Sequence, residues 1–373
     1  MTEVSQAVLL SAPLYAEVAL TSRCNLRCIY CHFFDSPNET SAELSTEEWL
    51  RVFDEFAAMK VMSVTLSGGE ALLRSDLQTF IERIVGGGMR FSILSNGFAL
   101  EESHAKMLVP VADYCNQVQI SIDGVGEVHD SARGKGSFAR ALRAIKILQA
   151  HKIPVNARIT VGKHNFATLA ETVRFLLDEV KLSKVGCNSA IDFSSSDEFS
   201  RAVSLSKREF LTAMVEARKL KEEYPTRMDI NTSTFSSLAY AWPRLIRSLR
   251  EQATPIDRSE DRRCFPTFKK IFVRADGAIT PCNHLPSHVM GYVGKDKIVD
   301  LWHNSQVMQE LATPDPTLDH ICGECRECEY LPYCPQSGYC VDSHDRVSAH
   351  CLKSYAAEVP DFDFEELRWK NDC

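Results

Sequence analysis

The chain has 373 residues, more than one ordinary domain needs, and its 45% hydrophobic content is enough for a large core. A formal net charge of -8 argues against a nucleic-acid groove as the main surface; no run approaches the ~20 apolar residues of a membrane span, and Met1 to Ala16 lacks the basic start and long apolar stretch of a secretion signal. A cytoplasmic protein is expected, in which 14 cysteines point to metal ligands instead of disulfides.

The first predicted element is a strand, Tyr15 to Leu20, which runs into Cys24-Asn-Leu-Arg-Cys28-Ile-Tyr-Cys31. Four cysteines normally hold a four-iron cluster, so a loop supplying three leaves one iron free to bind a small molecule. A structural zinc knuckle is the plain alternative for cysteines this close together. Tyr30, His32, Phe33 and Phe34 form an aromatic cluster beside them that either lines a cavity or simply packs. Ser45-Thr-Glu-Glu48 reads as a capping box opening a helix through Met59. A second strand, Val61 to Leu66, ends in Ser67-Gly68-Gly69-Glu70, where two glycines let the backbone approach a ligand closely.

Further strands are expected near Arg90 to Leu94, Gln117 to Ile122, Val155 to Val161 and Lys184 to Asn188. They alternate with helices near Asp76 to Ile84, Glu101 to Val109, Phe138 to Ala150, Phe166 to Val180 and Lys207 to Glu223. About six β/α units fit before residue 225, which implies a parallel sheet with crossover connections. Ser95-Asn96 and Ser121-Ile-Asp123 stand just past two of the apolar runs, and Arg133 lies in a glycine-rich loop, Asp130 to Phe138. From Thr232 to Arg263 the alternation stops, and a helix around Phe235 to Gln252 reads as part of a bridge. Three regions follow: 1–231, a bridge at 232–263, and 264–373.

The last region holds nine of the 14 cysteines: Cys264, Cys282, Cys322, Cys325, Cys328, Cys334, Cys340, Cys351 and Cys373. Asp276 before Gly277 reads as a hairpin turn residue. Cys115 and Cys187, in or near predicted strands, read as small buried hydrophobes, and the terminal Cys373 as idle.

Cys24, Cys28 and Cys31, with Gly68-Gly69-Glu70 in register behind them, resemble the radical S-adenosylmethionine (SAM) enzymes. The resemblance implies an α/β fold, a partial (β/α)6 barrel with its chemistry at the carboxyl ends of the strands. It implies a [4Fe-4S] cluster on the three cysteines whose open iron binds SAM. Gly68, Gly69, Glu70, Ser95, Asn96, Ser121, Asp123 and Arg133 then stand where the family binds SAM. Glu70 would accept hydrogen bonds from the methionine ammonium, Arg133 would offer paired donors to its carboxylate, and Tyr30 would pack against adenine. The usual proline after the glutamate is Ala71 here.

The C-terminal cysteines resemble the SPASM domain, a small cysteine-rich extension that binds two auxiliary iron–sulfur clusters. Carried over by position, Cys264, Cys282 and Cys340 would hold the first cluster, completed by Cys322. Cys325, Cys328, Cys334 and Cys351 would hold the second. Two zinc sites are the alternative. Five residues separate Cys334 from Cys340 where the family commonly has three, and Cys322 is extra.

The implied activity is an oxygen-sensitive peptide maturase. A 5′-deoxyadenosyl radical would take hydrogen from a ribosomally made precursor peptide and lead to oxidative crosslinking. A flavodoxin- or ferredoxin-type protein would supply electrons; neither nucleic acid nor membrane is an expected partner. Only 23 residues precede Cys24, so a leader peptide would be held by a separate protein or another surface. Dehydrogenation of a sugar or aminocyclitol alcohol is the runner-up. Formylglycine formation in a sulfatase is weakened, because the aspartate thought to be the base there is Asn283 here, which takes no proton at neutral pH. An iron–sulfur electron-transfer protein is the reading from outside enzymology.

Overall fold

Apolar, β-branched runs set the strands, and the helices between them set their direction. The computed structural model describes residues 10–31, 42–190, 203–230, 234–255, 269–312, 323–334 and 351–370. β1 (Tyr15–Ala19), β2 (Ser63–Ser67), β3 (Arg90–Ser95), β4 (Cys115–Ser121), β5 (Val155–Val161) and β6 (Val185–Ser189) lie side by side in chain order, each parallel to the last. Parallel neighbours need long crossovers. Helices Thr46–Ala58, Leu77–Gly86, Glu102–Leu108, Ser137–Ala150 and Leu169–Arg174 supply them. The parallel sheet expected from the alternation, in the six-stranded α/β fold that the resemblance implies, is the observed architecture. Among the described residues no helix is long and apolar enough to cross a membrane.

The first crossover helix starts where the sequence places it. Ser45 Oγ accepts the Glu48 N–H and the Glu48 carboxylate accepts the Ser45 N–H, which occupies two donors the helix itself cannot. Trp49, Val52, Phe53 and Phe56 then bury one face against the sheet. Ser45→Ala is expected to destabilise the fold by about 1 kcal/mol, read as a lower urea midpoint with an unchanged slope.

The segment Phe166 to Val180, expected as one helix, is a 3-10 turn at Phe166–Thr168, an α-helix at Leu169–Arg174 and a π-turn at Phe175–Glu179. The wide turn closes through the Val180 N–H and the Phe175 carbonyl at 3.0 Å, with consecutive Leu176 and Leu177 both buried.

The sheet has two chemically different faces. Ala16, Val18, Val64, Leu66, Phe91, Ile93, Val118, Ile120, Ala157, Ile159, Val185 and Cys187 are buried under the helices. The alternate positions on the concave face are mostly polar: Glu17, Thr65, Ser92 and Gln117 follow one another in register, Gln119 pairs with Asn156, Ser121 with Arg158 and Thr160 with Asn188, while Leu94 and Ala19 are apolar. Closed β/α barrels fill that space with branched apolar side chains. Here most of it is left to hydrogen-bonding groups.

Beyond β6 the sheet gains the short β7 (Met228–Asp229). Its other edge is completed by the C-terminal region. β8 (Lys270–Val273) pairs parallel with β1, and β9 (Ala278–Thr280) and β10 (Gly291–Tyr292) follow antiparallel, giving the order β10-β9-β8-β1-β2-β3-β4-β5-β6-β7. The β8–β9 turn is made by Gly277 at φ +83° and by Asp276, whose carboxylate accepts the Ala278 N–H at 3.2 Å. Helix Thr234–Arg250 joins the two regions by aromatic contacts. Phe235 lies 5.1 Å from Phe210, and Trp242 lies 5.1 Å from Tyr355.

Candidate cluster and cofactor site

Cys24, Cys28 and Cys31 sit, half-buried, on the loop leaving β1. That loop is held from three sides. The Gly69 N–H donates to the Thr21 carbonyl at 2.7 Å and the Glu70 N–H to the Arg23 carbonyl at 2.9 Å. A Cβ on Gly68, at φ +140°, would meet Thr21 O at 2.5 Å, and one on Gly69 would meet Arg23 O at 2.3 Å. The glycine pair expected to approach a ligand thus approaches the cysteine loop. On the second side, Glu43 accepts the Thr21 hydroxyl at 2.7 Å, the Ser22 N–H at 2.8 Å and the Ser22 hydroxyl at 2.9 Å. On the third, the Ile29 N–H donates to Ala132 O at 2.9 Å, tying the loop to helix Glu127–Arg133.

The sulfurs face donors. Leu26 N–H and Asn96 Nδ2 approach Cys24 Sγ at 3.5 and 3.7 Å, and Arg133 Nη1 lies 4.0 Å from Cys28 Sγ. Burial raises the Cys24 thiol and pushes Cys28 up to about 11, with Arg133 opposing the latter. Among the described residues no three His, Cys, Asp or Glu side chains converge on a single ion. A four-iron cluster asks for a different arrangement, because each thiolate binds its own iron and the ligands surround a cube. Three cysteines on one loop, with N–H groups and a guanidinium turned toward Cys24 and Cys28, fit an anionic iron–sulfur group.

Asp123 organises the wall beside this loop. Fully buried just past β4, it accepts Arg133 Nε at 2.6 Å, Arg133 Nη2 at 3.3 Å, the Thr160 N–H at 3.0 Å and the Tyr30 hydroxyl. Burial alone would raise its carboxyl; the charge and hydrogen bonds of Arg133, with those from Tyr30 and Thr160, together hold it below the usual carboxylate range. The Arg133 guanidinium also lies 5.3 Å from the Tyr30 ring centre, and His164 stacks on that ring at 5.6 Å. Tyr30, expected as an adenine platform, is bound into the Asp123 network instead of standing free.

Glu70 is 1% exposed, and its carboxylate accepts the Leu72 N–H at 3.2 Å and the Asn96 N–H at 2.8 Å. Burial raises its pKa. Ser95 Oγ accepts the Gly97 N–H at 2.9 Å, and Asn96 Nδ2 also reaches Asn25 Oδ1 at 2.9 Å. These residues lock the strand ends to the cysteine loop. Ser121 ends β4 on the concave face.

Sequence reasoning missed Glu43, His129, His164 and Asn165. His129 Nδ1 accepts the Asp123 N–H at 3.1 Å, and burial drives its pKa down to about 4. Asn165 Nδ2 donates to Asp123 O at 2.8 Å. Nothing local marks them, since their partners lie at a distance along the chain: 6 residues for His129, 22 for Glu43, 42 for Asn165, and Tyr30, in the cysteine loop, for His164.

In the C-terminal region Cys282 follows β9; its Sγ accepts the His284 N–H at 3.5 Å and donates to Asn283 Oδ1 at 3.2 Å. Cys325, Cys328, Cys334 and Cys351 are half-buried. The first three lie on successive turns, with Cys328 N–H to Cys325 O at 3.2 Å, Leu331 N–H to Cys328 O at 2.9 Å and Cys334 N–H to Leu331 O at 3.2 Å. Half-buried cysteines on tight turns suit iron–sulfur ligation. Cys264, Cys322, Cys340 and Cys373, like His32, Phe33 and Phe34, lie outside the described residues. Cys115 and Cys187 are buried strand residues whose thiols burial pushes up to about 12.

Residues 18–176 match the radical SAM superfamily, and residues 264–329 match SPASM, an iron–sulfur cluster-binding domain. The sporulation killing factor maturation protein SkfB of Bacillus subtilis is 27% identical over 308 residues, 80% of this chain and 66% of SkfB. The AdoMet-dependent heme synthase of Methanosarcina barkeri is 26% identical over 336 residues, 87% of this chain and 90% of that protein. The chain thus spans about two thirds of SkfB but most of the heme synthase. SuiB of Streptococcus suis, solved with S-adenosylmethionine, superposes with a TM-score of 0.69 at 14% identity, over 92% of this chain and 80% of SuiB; a further SuiB structure holds the precursor peptide SuiA.

Proposed function

We propose, from the premise that this chain carries a radical SAM domain and a SPASM domain, that it oxidatively crosslinks a ribosomally made precursor peptide. When bound, a [4Fe-4S] cluster with SAM supplies a 5′-deoxyadenosyl radical that removes a hydrogen atom from the substrate. Cys24, Cys28 and Cys31 would hold that cluster. Gly68, Gly69, Glu70 and Asn96 fix the loop, while Asp123 orients Arg133 toward it, and Arg133 would offer its guanidinium to the SAM carboxylate. Tyr30, Ser95 and Ser121 border the same space. Cys264, Cys282, Cys322 and Cys340, and Cys325, Cys328, Cys334 and Cys351, would hold two auxiliary clusters.

The observation that carries the peptide reading is the polar concave face. Gln117, Gln119, Asn156, Thr160 and Asn188 carry amides and hydroxyls there, some bonded within the wall (Asn156 Nδ2 to Gln117 Oε1, Arg158 Nε to Asn188 Oδ1), and such groups suit a peptide main chain and its polar side chains. SkfB and the SuiB–SuiA complex support the same substrate class. A second reading, a tetrapyrrole substrate, is supported by the closer match in length to the heme synthase. The mostly polar concave face favours the peptide over a flat macrocycle, which asks for apolar walls.

The test is anaerobic coexpression with precursor peptides encoded beside the gene, with Cys28→Ala as the control. Loss of two hydrogens per event, seen only with the intact enzyme, is the expected result. An unmodified peptide together with turnover of an added tetrapyrrole would replace this reading with the second. Reconstituted protein is expected to hold about twelve iron atoms, against about four if the C-terminal region binds zinc.

A further inference from the structure

Where the C-terminal hairpin meets the barrel, two opposite charges face each other beside a cysteine. Glu17, on the concave face of β1, forms an ion pair with Lys270 at the start of β8; their side chains are 12% and 27% exposed. Glu17 Oε1 also lies 3.5 Å from Asn283 Nδ2 and 3.5 Å from Ser67 Oγ. Asn283 Oδ1 in turn lies 3.2 Å from Cys282 Sγ. The first strand of one domain is therefore linked, through one carboxylate, to a cysteine of the other.

We propose that the Glu17–Lys270 pair tunes the reduction potential of the iron–sulfur cluster held through Cys282, with Lys270 raising it and Glu17 lowering it. The inference rests on Cys282 being a ligand of an auxiliary cluster. An added electron is stabilised by a nearby cation and opposed by a nearby anion, and half-buried charges are screened less than exposed ones. Burial would lower the Lys270 pKa, but Glu17 first and the Cys282 sulfur second raise it, so the ammonium keeps its charge at neutral pH. Asp276 and Arg274 at the hairpin turn pair with each other at 2.7 Å. Hydrogen-atom removal would leave a substrate radical, and completing the oxidation would release one electron, which the cluster would take, and one proton, which would pass to water.

The test is a redox titration of the reconstituted enzyme followed by electron paramagnetic resonance, with iron counted in each variant. Lys270→Met is expected to move one auxiliary potential negative and Glu17→Gln to move the same potential positive. The double variant returns near the wild-type value, and Lys270→Arg stays close to it. Shifts of equal sign, or no shift, overturn the proposal, because a merely structural joint would respond alike to either loss. Absence of any auxiliary signal in the wild type, with about four irons present, overturns the ligand reading and the proposal with it.

Discussion

Gly69→Ala is expected to abolish SAM cleavage without unfolding the protein. The new methyl would stand 2.3 Å from Arg23 O, 2.6 Å from Arg23 C and 2.7 Å from Ser22 O, all backbone atoms just before Cys24. No rotamer relieves such a contact, so the cysteine loop must move and take its thiols with it. Misplacement of a reacting group by about 1 Å can cost about 100-fold in rate. Formation of 5′-deoxyadenosine should fall by at least that factor, and the reconstituted iron should drop by about one four-iron cluster. Gly86→Ala, whose methyl meets nothing within 4 Å, is the matched control and should leave both unchanged. Wild-type cleavage in Gly69→Ala would show that the loop is not fixed by this contact.

The second large effect is on stability. Asp123→Ala leaves the Arg133 guanidinium buried without its counter-charge and removes the acceptor of the Thr160 N–H and the Tyr30 hydroxyl. Breaking a buried pair from one side costs about 3–5 kcal/mol, a large share of the about 5–15 kcal/mol that holds a typical protein folded. Asp123→Asn isolates the charge. Because the folded pKa of Asp123 lies below its unfolded value of about 3.9, its contribution is fully present at neutral pH and is lost as pH falls through the folded value. The gap in unfolding free energy between wild type and Asp123→Asn should therefore be widest near pH 7 and narrow below about pH 4. A gap independent of pH would mean that the carboxylate acts through shape alone.

Much of this architecture is legible in the sequence because it rests on local signals. β5 and the helix Lys207–Glu223 have the boundaries their periodicity and capping residues dictate, and the Ser45 box starts its helix as written. The cysteine loop declares itself by spacing. The partners of that loop do not. Glu43 reaches Thr21 across 22 residues, and Glu17 reaches Asn283 across 266, so only the folded chain brings them together. The glycine pair was readable as a close approach, but not what it approaches. Glu70 was readable as a carboxylate near the site, but not that two backbone N–H groups occupy it.

The parallel pairing of β8 with β1 has a consequence for how such an enzyme can be taken apart. Tyr15 to Val18 are matched residue for residue by Lys270 to Val273, and on the other side by β2. A chain ending before residue 269 would keep its cysteine loop but bare the β1 edge, a row of unsatisfied N–H and C=O groups on an apolar strand. Such an edge is a template for a second copy to pair against. The C-terminal region thus serves as the selvage of the barrel as well as a bed for metal, and any domain grafted in its place would have to bring a strand to bind that edge off.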